Sequence, residues 1–163
     1  MNHAYVNWDG QCIKLTWIPN YQAKIELVTS VHGYCFLDGK IMLVHIKNRG
    51  FNMPGGHIEV NETPEETFHR EAYEEGYVKG NIQYLGALEV NHTENTLFDV
   101  NGKYPIIGYQ LFYRMDITEC LSFLREHESI ARIWIEPDQV PFVMENHPLA
   151  LAILENALKA VSI

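Results

Sequence analysis

Apolar and polar positions alternate along much of the chain, and this pattern predicts strands. Segments rich in β-branched and aromatic residues are typical of strands. They occupy residues 11–19, 27–37, 40–47, 83–92, 106–117 and 131–136. The dipeptide Asp38-Gly39 joins the second segment to the third and predicts a tight hairpin. Residues 49–56, which contain Pro54 and several glycines, interrupt the pattern and predict a loop without regular structure.

A helix is predicted at about residues 64–75 by signals at both of its ends. Thr63 is a favourable N-cap, Pro64 suits the first helical position, and Glu66 follows at the spacing of a capping box. Gly76 supplies the predicted C-terminal stop.

Two further helices are predicted, at residues 119–126 and 148–161. The second carries an apolar stripe formed by Leu149, Ile153, Leu154 and Leu158. Strands and helices are mixed without a regular βαβ alternation. The sequence therefore predicts an α/β fold in which helices flank a mixed β-sheet.

Length and composition predict one domain spanning residues 1–163. The 163-residue chain is 47% hydrophobic and 20% charged, and no low-complexity linker divides it. Its net charge of −9 argues against binding a nucleic acid polymer, which requires phosphate-neutralising Lys and Arg. A small anionic substrate is compatible with this charge if a cation mediates its binding.

The cysteines and the hydropathy pattern predict a cytoplasmic protein. Cys12, Cys35 and Cys120 are widely spaced and form no CxxC motif, so neither a disulfide framework nor a zinc site is expected. No apolar run approaches the length of a membrane span, and the first residues lack the pattern of a signal peptide. We therefore expect no membrane partner, and a homodimer stays an open alternative.

Three carboxylates share one face of the predicted 64–75 helix. Glu71, Glu74 and Glu75 stand at i, i+3 and i+4, so they project within an arc of about 100°. Like charges at this spacing repel one another, and a divalent cation would reverse that effect. Mg²⁺ is the natural candidate because it prefers hard oxygen ligands, with Mn²⁺ as an alternative. The competing interpretation is an ordinary solvated helix face.

Neighbouring residues favour the metal site. Arg70 lies beside the carboxylates, and Glu62 precedes it on the loop side, so this pair is positioned to brace the loop against the helix and to orient Glu71. The glycine-containing loop adjoins the start of the helix. Its Gly55 carbonyl is therefore a candidate for one more hard oxygen ligand.

The same residues resemble the signature box of the Nudix hydrolases. The matching positions are Gly56, Glu62, Arg70, Glu71, Ala72, Glu74 and Glu75. Similar segments flank the box, so the resemblance covers roughly residues 27–137. The family pattern has any residue and then glycine after the paired glutamates. Here Gly76 follows Glu75 directly and Tyr77 takes the glycine position, so we expect a helix-ending turn that is one residue short.

The resemblance implies a Nudix-like αβα sandwich that hydrolyses a nucleoside diphosphate linked to another group. By resemblance, Glu71, Glu74 and Glu75 are metal ligands. Glu71, held by Arg70, is a candidate general base, and which glutamate takes the proton stays open. The other box residues have structural roles: Gly56, Glu62 and Arg70.

Three residues outside the helix are further candidates. Glu128 matches the place where MutT-type members carry an additional acidic ligand or base, and the alternative is a solvated loop acid. Asn146 lies in a segment that resembles the purine-reading segment of those members, but it also suits the N-cap of the following helix. His57 borders the glycine loop and is a candidate for contact with phosphate, against a solvated or core role.

The substrate stays open among three possibilities. The first is a MutT-type hydrolysis of a nucleoside triphosphate, with an oxidised purine nucleotide as a candidate, to monophosphate and pyrophosphate. The second is cleavage of ADP-ribose or another nucleoside diphosphate sugar. The chain lacks a proline and a tyrosine at the distances after the box where the ADP-ribose and dinucleoside polyphosphate groups carry them, which favours the first. The third is a Nudix module that binds a nucleotide without cleaving it.

Overall fold

A computed structural model of the protein describes residues 2–144 and 148–160. In this part of the chain the strands are β1 (His3–Trp8), β2 (Gln11–Pro19), β3 (Val28–Leu37), β4 (Lys40–Ile46), β5 (Gly50–Asn52), β6 (Gly55–His57), β7 (Val78–Asn91), β8 (Ile107–Cys120) and β9 (Ser129–Ile135). The helices are α1 (Pro64–Gly76), the single-turn α2 (Val140–Val143) and α3 (Leu149–Lys159). None of the described helices is long and apolar enough to cross a membrane.

The strands form one mixed sheet, as the sequence predicts. Its order is β1-β2-β7-β8-β3-β4-β5, while β6 pairs with β3 and β9 pairs with β4. β3 runs parallel to β8, and the other strand pairs of the described residues are antiparallel. The Asp38-Gly39 hairpin between β3 and β4 is confirmed, with Leu37 opposite Lys40.

Two hydrophobic cores lie on opposite faces of this sheet, because successive strand residues point to opposite sides. Tyr34 and Phe36 of β3 belong to the core beneath α3. Val31 and Cys35 of the same strand belong to the core beneath α1, where they join Phe68. Each fully buried large apolar side chain contributes about 1.5–3 kcal/mol. The arrangement is the predicted αβα sandwich.

The first turn of α1 is closed by the predicted capping box. The Thr63 hydroxyl accepts a hydrogen bond from the Glu66 amide at 3.1 Å, and the Glu66 carboxylate accepts one from the Thr63 amide at 3.0 Å. Pro64 occupies the first helical turn, where its missing N–H costs nothing. This end of the helix is therefore specified locally by the sequence.

The expectation of a shortened turn after the box is wrong. α1 continues through Gly76, and Tyr77 itself adopts the left-handed C-cap conformation, with φ 56° and ψ 40°. The box thus has its full number of residues, but a tyrosine stands in the conformation that usually favours glycine. Gly76 is not the residue in the left-handed conformation, and its small size is instead required by packing. A Cβ there would lie 2.4 Å from the Cε atom of Met42, on which the helix packs.

Two other expectations are corrected by the fold. Residues 119–126 form no helix, because β8 continues to Cys120 and residues 121–126 have no regular structure. The loop predicted at residues 49–56 contains the short strands β5 and β6, which pair with β4 and β3. In both places long-range strand pairing overrides the local pattern. β1, which the sequence did not predict, forms the edge of the sheet beside β2.

Candidate active site

Arg70 connects most of the charged groups at the glycine loop and α1. Its Nε and Nη2 atoms donate to the two carboxylate oxygens of Glu62, at 2.7 and 3.0 Å. Nη1 donates to Oε1 of Glu71 at 2.8 Å and to Oε2 of Glu74 at 3.4 Å. Nη2 also donates to the backbone carbonyl of His57 at 3.3 Å. A planar guanidinium suits this task because its donors are fixed in a fork.

Strand β6 brings the glycine loop directly against α1. The Gly55 amide donates to Oε1 of Glu75 at 2.8 Å. A Cβ atom at Gly56 would lie 2.4 Å from Oε1 of Glu71, so only glycine allows this approach. On the other side of the strand, a Cβ at Gly55 would lie 2.2 Å from the His32 ring. The two glycines therefore allow the loop to pass between the carboxylates and the opposite face of the sheet.

Burial and mutual repulsion make the carboxylates of Glu71 and Glu75 unusually basic. Burial raises the pKa of Glu75 to about 8, and the charges of Glu71 and Glu128 act in the same direction. The Gly55 amide and Arg49 oppose this rise. Burial likewise raises the pKa of Glu71, partly offset by its hydrogen bond with Arg70. A cation at this position would favour the ionised form of both groups.

The carboxyl of Glu62, in contrast, has a lowered pKa. Its hydrogen bonds with Arg70 lower the pKa of its carboxyl to about 2, assisted by bonds from the Glu59 amide and the Thr67 hydroxyl. Glu62 is therefore ionised at neutral pH and holds Arg70 in place. The geometry agrees with the bracing role predicted for this pair.

The donor set fits a hard divalent cation in its chemistry. Glu71, Glu74 and Glu75 each retain a carboxylate oxygen outside the contacts with Arg70 and Gly55. Among the described residues, no three His, Cys, Asp or Glu side chains converge closely enough to hold an ion as they stand. Mg²⁺ does not require a preformed site of three protein ligands, because it keeps several waters and takes only one or two protein carboxylates besides substrate phosphates. The predicted ligands thus stay a prediction.

Glu128 lies within electrostatic range of the cluster. Its charge contributes to the raised pKa of both Glu71 and Glu75. The next residue, Ser129, is buried and donates from Oγ to the Glu75 carbonyl at 2.6 Å. This bond ties the start of β9 to the end of α1. Glu128 itself is exposed.

His57 occupies the end of β6, between the carboxylates and a cavity. Its ring nitrogen Nε2 forms a 3.1 Å hydrogen bond with the hydroxyl of Tyr104, while its carbonyl accepts from Arg70. The ring faces a cavity of about 420 Å³. Its predicted contact with phosphate remains a prediction. Asn146 lies outside the described residues.

Two cavities lie beside β6, and the larger one lies against α3. The larger, of about 540 Å³, is lined by His32, Asn52, Phe112 and the flanks of α3. No Asp, Glu, Lys or Arg is among its described lining residues. Trp8 and Gln110 border both cavities. The sequence reasoning missed these two residues, although Gln110 stands as a polar residue on the face of β8 that carries Phe112.

The family model of the NUDIX domain matches residues 28–154. The chain belongs to the Nudix family. The family predicted from the signature box is thus confirmed, and with it the class of enzyme, a hydrolase acting on diphosphate bonds. No curated protein matches this sequence significantly.

Solved Nudix structures share the fold. A mutant of the Bacillus subtilis pyrophosphohydrolase BsRppH has 20% identity and a TM-score of 0.65, over 83% of this chain and 77% of that chain. An ADP-ribose pyrophosphatase from Streptococcus suis has 17% identity and a TM-score of 0.55, over 80% and 91%. A MutT Nudix hydrolase from Burkholderia pseudomallei has 16% identity and a TM-score of 0.55, over 78% and 95%. At these identities the likeness establishes the fold.

Proposed function

We propose that this Nudix protein uses Mg²⁺, or Mn²⁺ in its place, to hydrolyse a nucleoside diphosphate linked to another group. The foremost candidate reaction converts a nucleoside triphosphate, such as an oxidised purine nucleotide, to monophosphate and pyrophosphate. One observation carries the proposal: Glu71, Glu74 and Glu75 cluster at one end of a capped helix, and burial raises the pKa of Glu71 and Glu75. A divalent cation bound there would favour the ionised form of these buried carboxylates and offset their mutual repulsion.

In this proposal, the metal is held by the following groups: the Gly55 carbonyl and the carboxylates of Glu71, Glu74, Glu75 and Glu128. Mg²⁺ held there would supply positive charge to neutralise the diphosphate and polarise its phosphorus–oxygen bonds. Glu71 is the candidate for taking a proton from the attacking water, because Arg70 holds its Oε1 and leaves the other oxygen outside that contact. Glu74 is the alternative. The water oxygen forms a bond to one phosphorus, the bridging phosphorus–oxygen bond breaks, and the other phosphate group leaves as an anion while the water proton stays on the glutamate.

The larger cavity supports a nucleoside as one part of the substrate. Its volume of about 540 Å³ falls within the range of small-molecule sites. The amides of Asn52 and Gln110 offer both donors and acceptors, and Phe112 and Trp8 offer aromatic surface. Uncharged polar and aromatic groups suit a nucleobase better than a phosphate. The charge of −9 supports a small nucleotide rather than a nucleic acid polymer.

A second candidate substrate is ADP-ribose or another nucleoside diphosphate sugar. The cavity of about 420 Å³ favours it, because its lining includes Asp9, Asp99 and Thr29 but no described Lys or Arg. Carboxylates and hydroxyls suit sugar hydroxyl groups and disfavour a terminal phosphate. A Nudix module that only binds its nucleotide is the third alternative. The full set of box glutamates in this chain argues against it.

The test is a product analysis with purified protein, Mg²⁺ and a substrate panel. The panel contains the nucleoside triphosphates, oxidised dGTP, ADP-ribose and dinucleoside polyphosphates, and the products are identified by chromatography and ³¹P NMR. Monophosphate and pyrophosphate from a triphosphate would support the first candidate. AMP and ribose phosphate from ADP-ribose would support the second. Binding without turnover of any compound would contradict the proposal and favour the module.

A further inference from the structure

Tyr77 stands in a conformation that few side chains adopt. Its φ of 56° and ψ of 40° lie in the left-handed region, where a residue with a Cβ atom is strained and glycine is favoured. The side chain is nevertheless only 4% exposed. A residue that keeps a strained backbone and a buried aromatic ring has contacts that offset the strain.

Those contacts hold the segment that connects β8 to β9, residues 121–128. The Tyr77 hydroxyl accepts a hydrogen bond from the Glu126 amide at 2.8 Å. Its carbonyl accepts one from the Leu121 amide at 2.9 Å. Its ring meets the Phe123 ring edge-on, with the centroids 5.3 Å apart, and lies 6.2 Å from the His127 ring. Tyr77 thus contacts the segment at its start, its middle and its end.

The rest of the segment has little structure to hold it. Residues 121–126 form no helix or strand, and most of the segment is exposed. Arg132 holds the start of the segment, since Nη1 donates both to the Leu121 carbonyl at 3.0 Å and to the Gly76 carbonyl at 2.8 Å, and its guanidinium lies 5.5 Å from the centroid of the Phe123 ring. Ser129 fixes the residue after the segment. Between these two points, Tyr77 supplies the hydrogen bond to Glu126 and the ring contacts.

We propose that Tyr77 is a positioning residue that holds Glu128 beside the carboxylates of α1. The inference rests on the proposed function, in which Glu128 joins the metal site. The hydrogen bond to Glu126 and the contact with the His127 ring fix the two residues that precede Glu128. The tyrosine that replaces the family's glycine therefore serves the site by ordering the segment that carries its outermost carboxylate.

The first experiment measures the order of the segment in metal-free protein. Tyr77→Phe removes only the hydroxyl, and Tyr77→Gly installs the residue expected from the family pattern. Hydrogen exchange of the Glu126 amide should accelerate by about tenfold in the first variant and more in the second. Tyr5→Phe is the matched control, because it also removes one hydroxyl hydrogen bond, to Glu94, in a distant part of the sheet. Unchanged exchange in Tyr77→Phe would overturn the proposal.

The second experiment asks whether Tyr77 acts through Glu128. The kcat values of Tyr77→Phe, Glu128→Gln and the double variant are compared with Mg²⁺ present. We expect Tyr77→Phe to lower kcat by about 3- to 10-fold in the wild type and to have no further effect in the Glu128→Gln background. Equal reductions in both backgrounds would show a purely structural role and overturn the inference.

Glu74→Gln separates this inference from the proposed function. If Glu74→Gln is inactive while Glu128→Gln retains wild-type kcat, the proposed function stands and the positioning role is overturned. If Glu74→Gln is fully active, the proposed function itself fails, and the inference that rests on it fails too.

Discussion

At the level of single residues, the site is organised by hydrogen bonds between the Arg70 guanidinium and the surrounding carboxylates. Arg70 uses Nε and both terminal nitrogens, so its carboxylate partners are held in fixed directions. Glu62 is kept ionised by that contact, whereas burial keeps Glu71 and Glu75 easily protonated. Within the signature box, the pKa of Glu62 is therefore lowered, whereas the pKa values of Glu71 and Glu75 are raised. Glu62 anchors the arginine, and Glu71 and Glu75 are the buried carboxylates for which a cation is proposed.

Replacing Arg70 by lysine tests the geometric role of the guanidinium. Lysine keeps the charge but cannot donate to Glu62 through two atoms while also reaching Glu71. We expect kcat to fall by about 10- to 100-fold and the melting temperature to decrease. Steady-state kinetics and calorimetry measure the two effects. Lys40→Arg, an exposed exchange between the same two residue types at the β3–β4 hairpin, is the control, and wild-type kcat in Arg70→Lys would contradict the role assigned to the guanidinium.

The raised pKa of Glu75 predicts a pH dependence of stability in metal-free protein. Between its ordinary pKa of 4.5 and its folded value of about 8, the folded state binds more protons than the unfolded state. The free energy of unfolding should therefore fall as the pH rises through this window. Glu75→Gln should weaken that fall, and Mg²⁺ should bind more tightly as the pH approaches 8. Denaturant titrations at several pH values check this, and a stability that rises with pH across the window would contradict it.

At the level of elements, the start of α1 is determined by neighbouring residues, whereas its end is determined by contacts with a distant segment. The N-terminal capping box is local, so Thr63, Pro64 and Glu66 could be recognised directly from the sequence. The C-terminal end depends on Tyr77 and on its contacts with a segment distant in the chain. For that reason the sequence misplaced the turn after the box. The absent helix at 119–126 and the strands β5 and β6 have the same cause, because each depends on pairing that local patterns do not encode.

The capping box predicts a stability effect that is separate from catalysis. Thr63→Ala removes the acceptor of the Glu66 amide, which should cost about 1 kcal/mol. The melting temperature should fall by a few degrees, while kcat per folded molecule should change less than twofold. Thermal unfolding and kinetics measure the two quantities. Thr118→Ala, at an exposed strand position, should leave both nearly unchanged, and a larger loss of kcat than of stability in Thr63→Ala would contradict this separation.

At the scale of the whole molecule, the sheet lies between the charged residues of α1 and the larger cavity. The carboxylates of α1 lie on one face, and the larger cavity lies on the other, against α3. β6 lies between them at the place where its glycines allow close approach. The signature box made it possible to predict the helix and the carboxylates that it carries. It could not predict the cavities, since Trp8, Gln110 and Asn52 are brought together only by the order of the strands.

This separation predicts that cavity variants affect substrate binding more than turnover. Gln110→Ala and Trp8→Ala should raise KM by about 5- to 50-fold and change kcat by less than about threefold. Glu119→Ala, at an exposed position of β8 outside the described cavities, is the control. Kinetics with the substrate identified from the panel provide the measurement. A large loss of kcat with unchanged KM would instead place these residues in the chemical step.

We have proposed that the glutamates of α1 form a catalytic metal site. The most direct test of this claim is the kcat of Glu74→Gln and Glu75→Gln under saturating Mg²⁺, followed by ³¹P NMR, with thermal stability measured in metal-free protein. We predict that each variant loses at least about 10²-fold in kcat while its metal-free stability does not fall below that of the wild type. Turnover at the wild-type rate in both variants would contradict the claim.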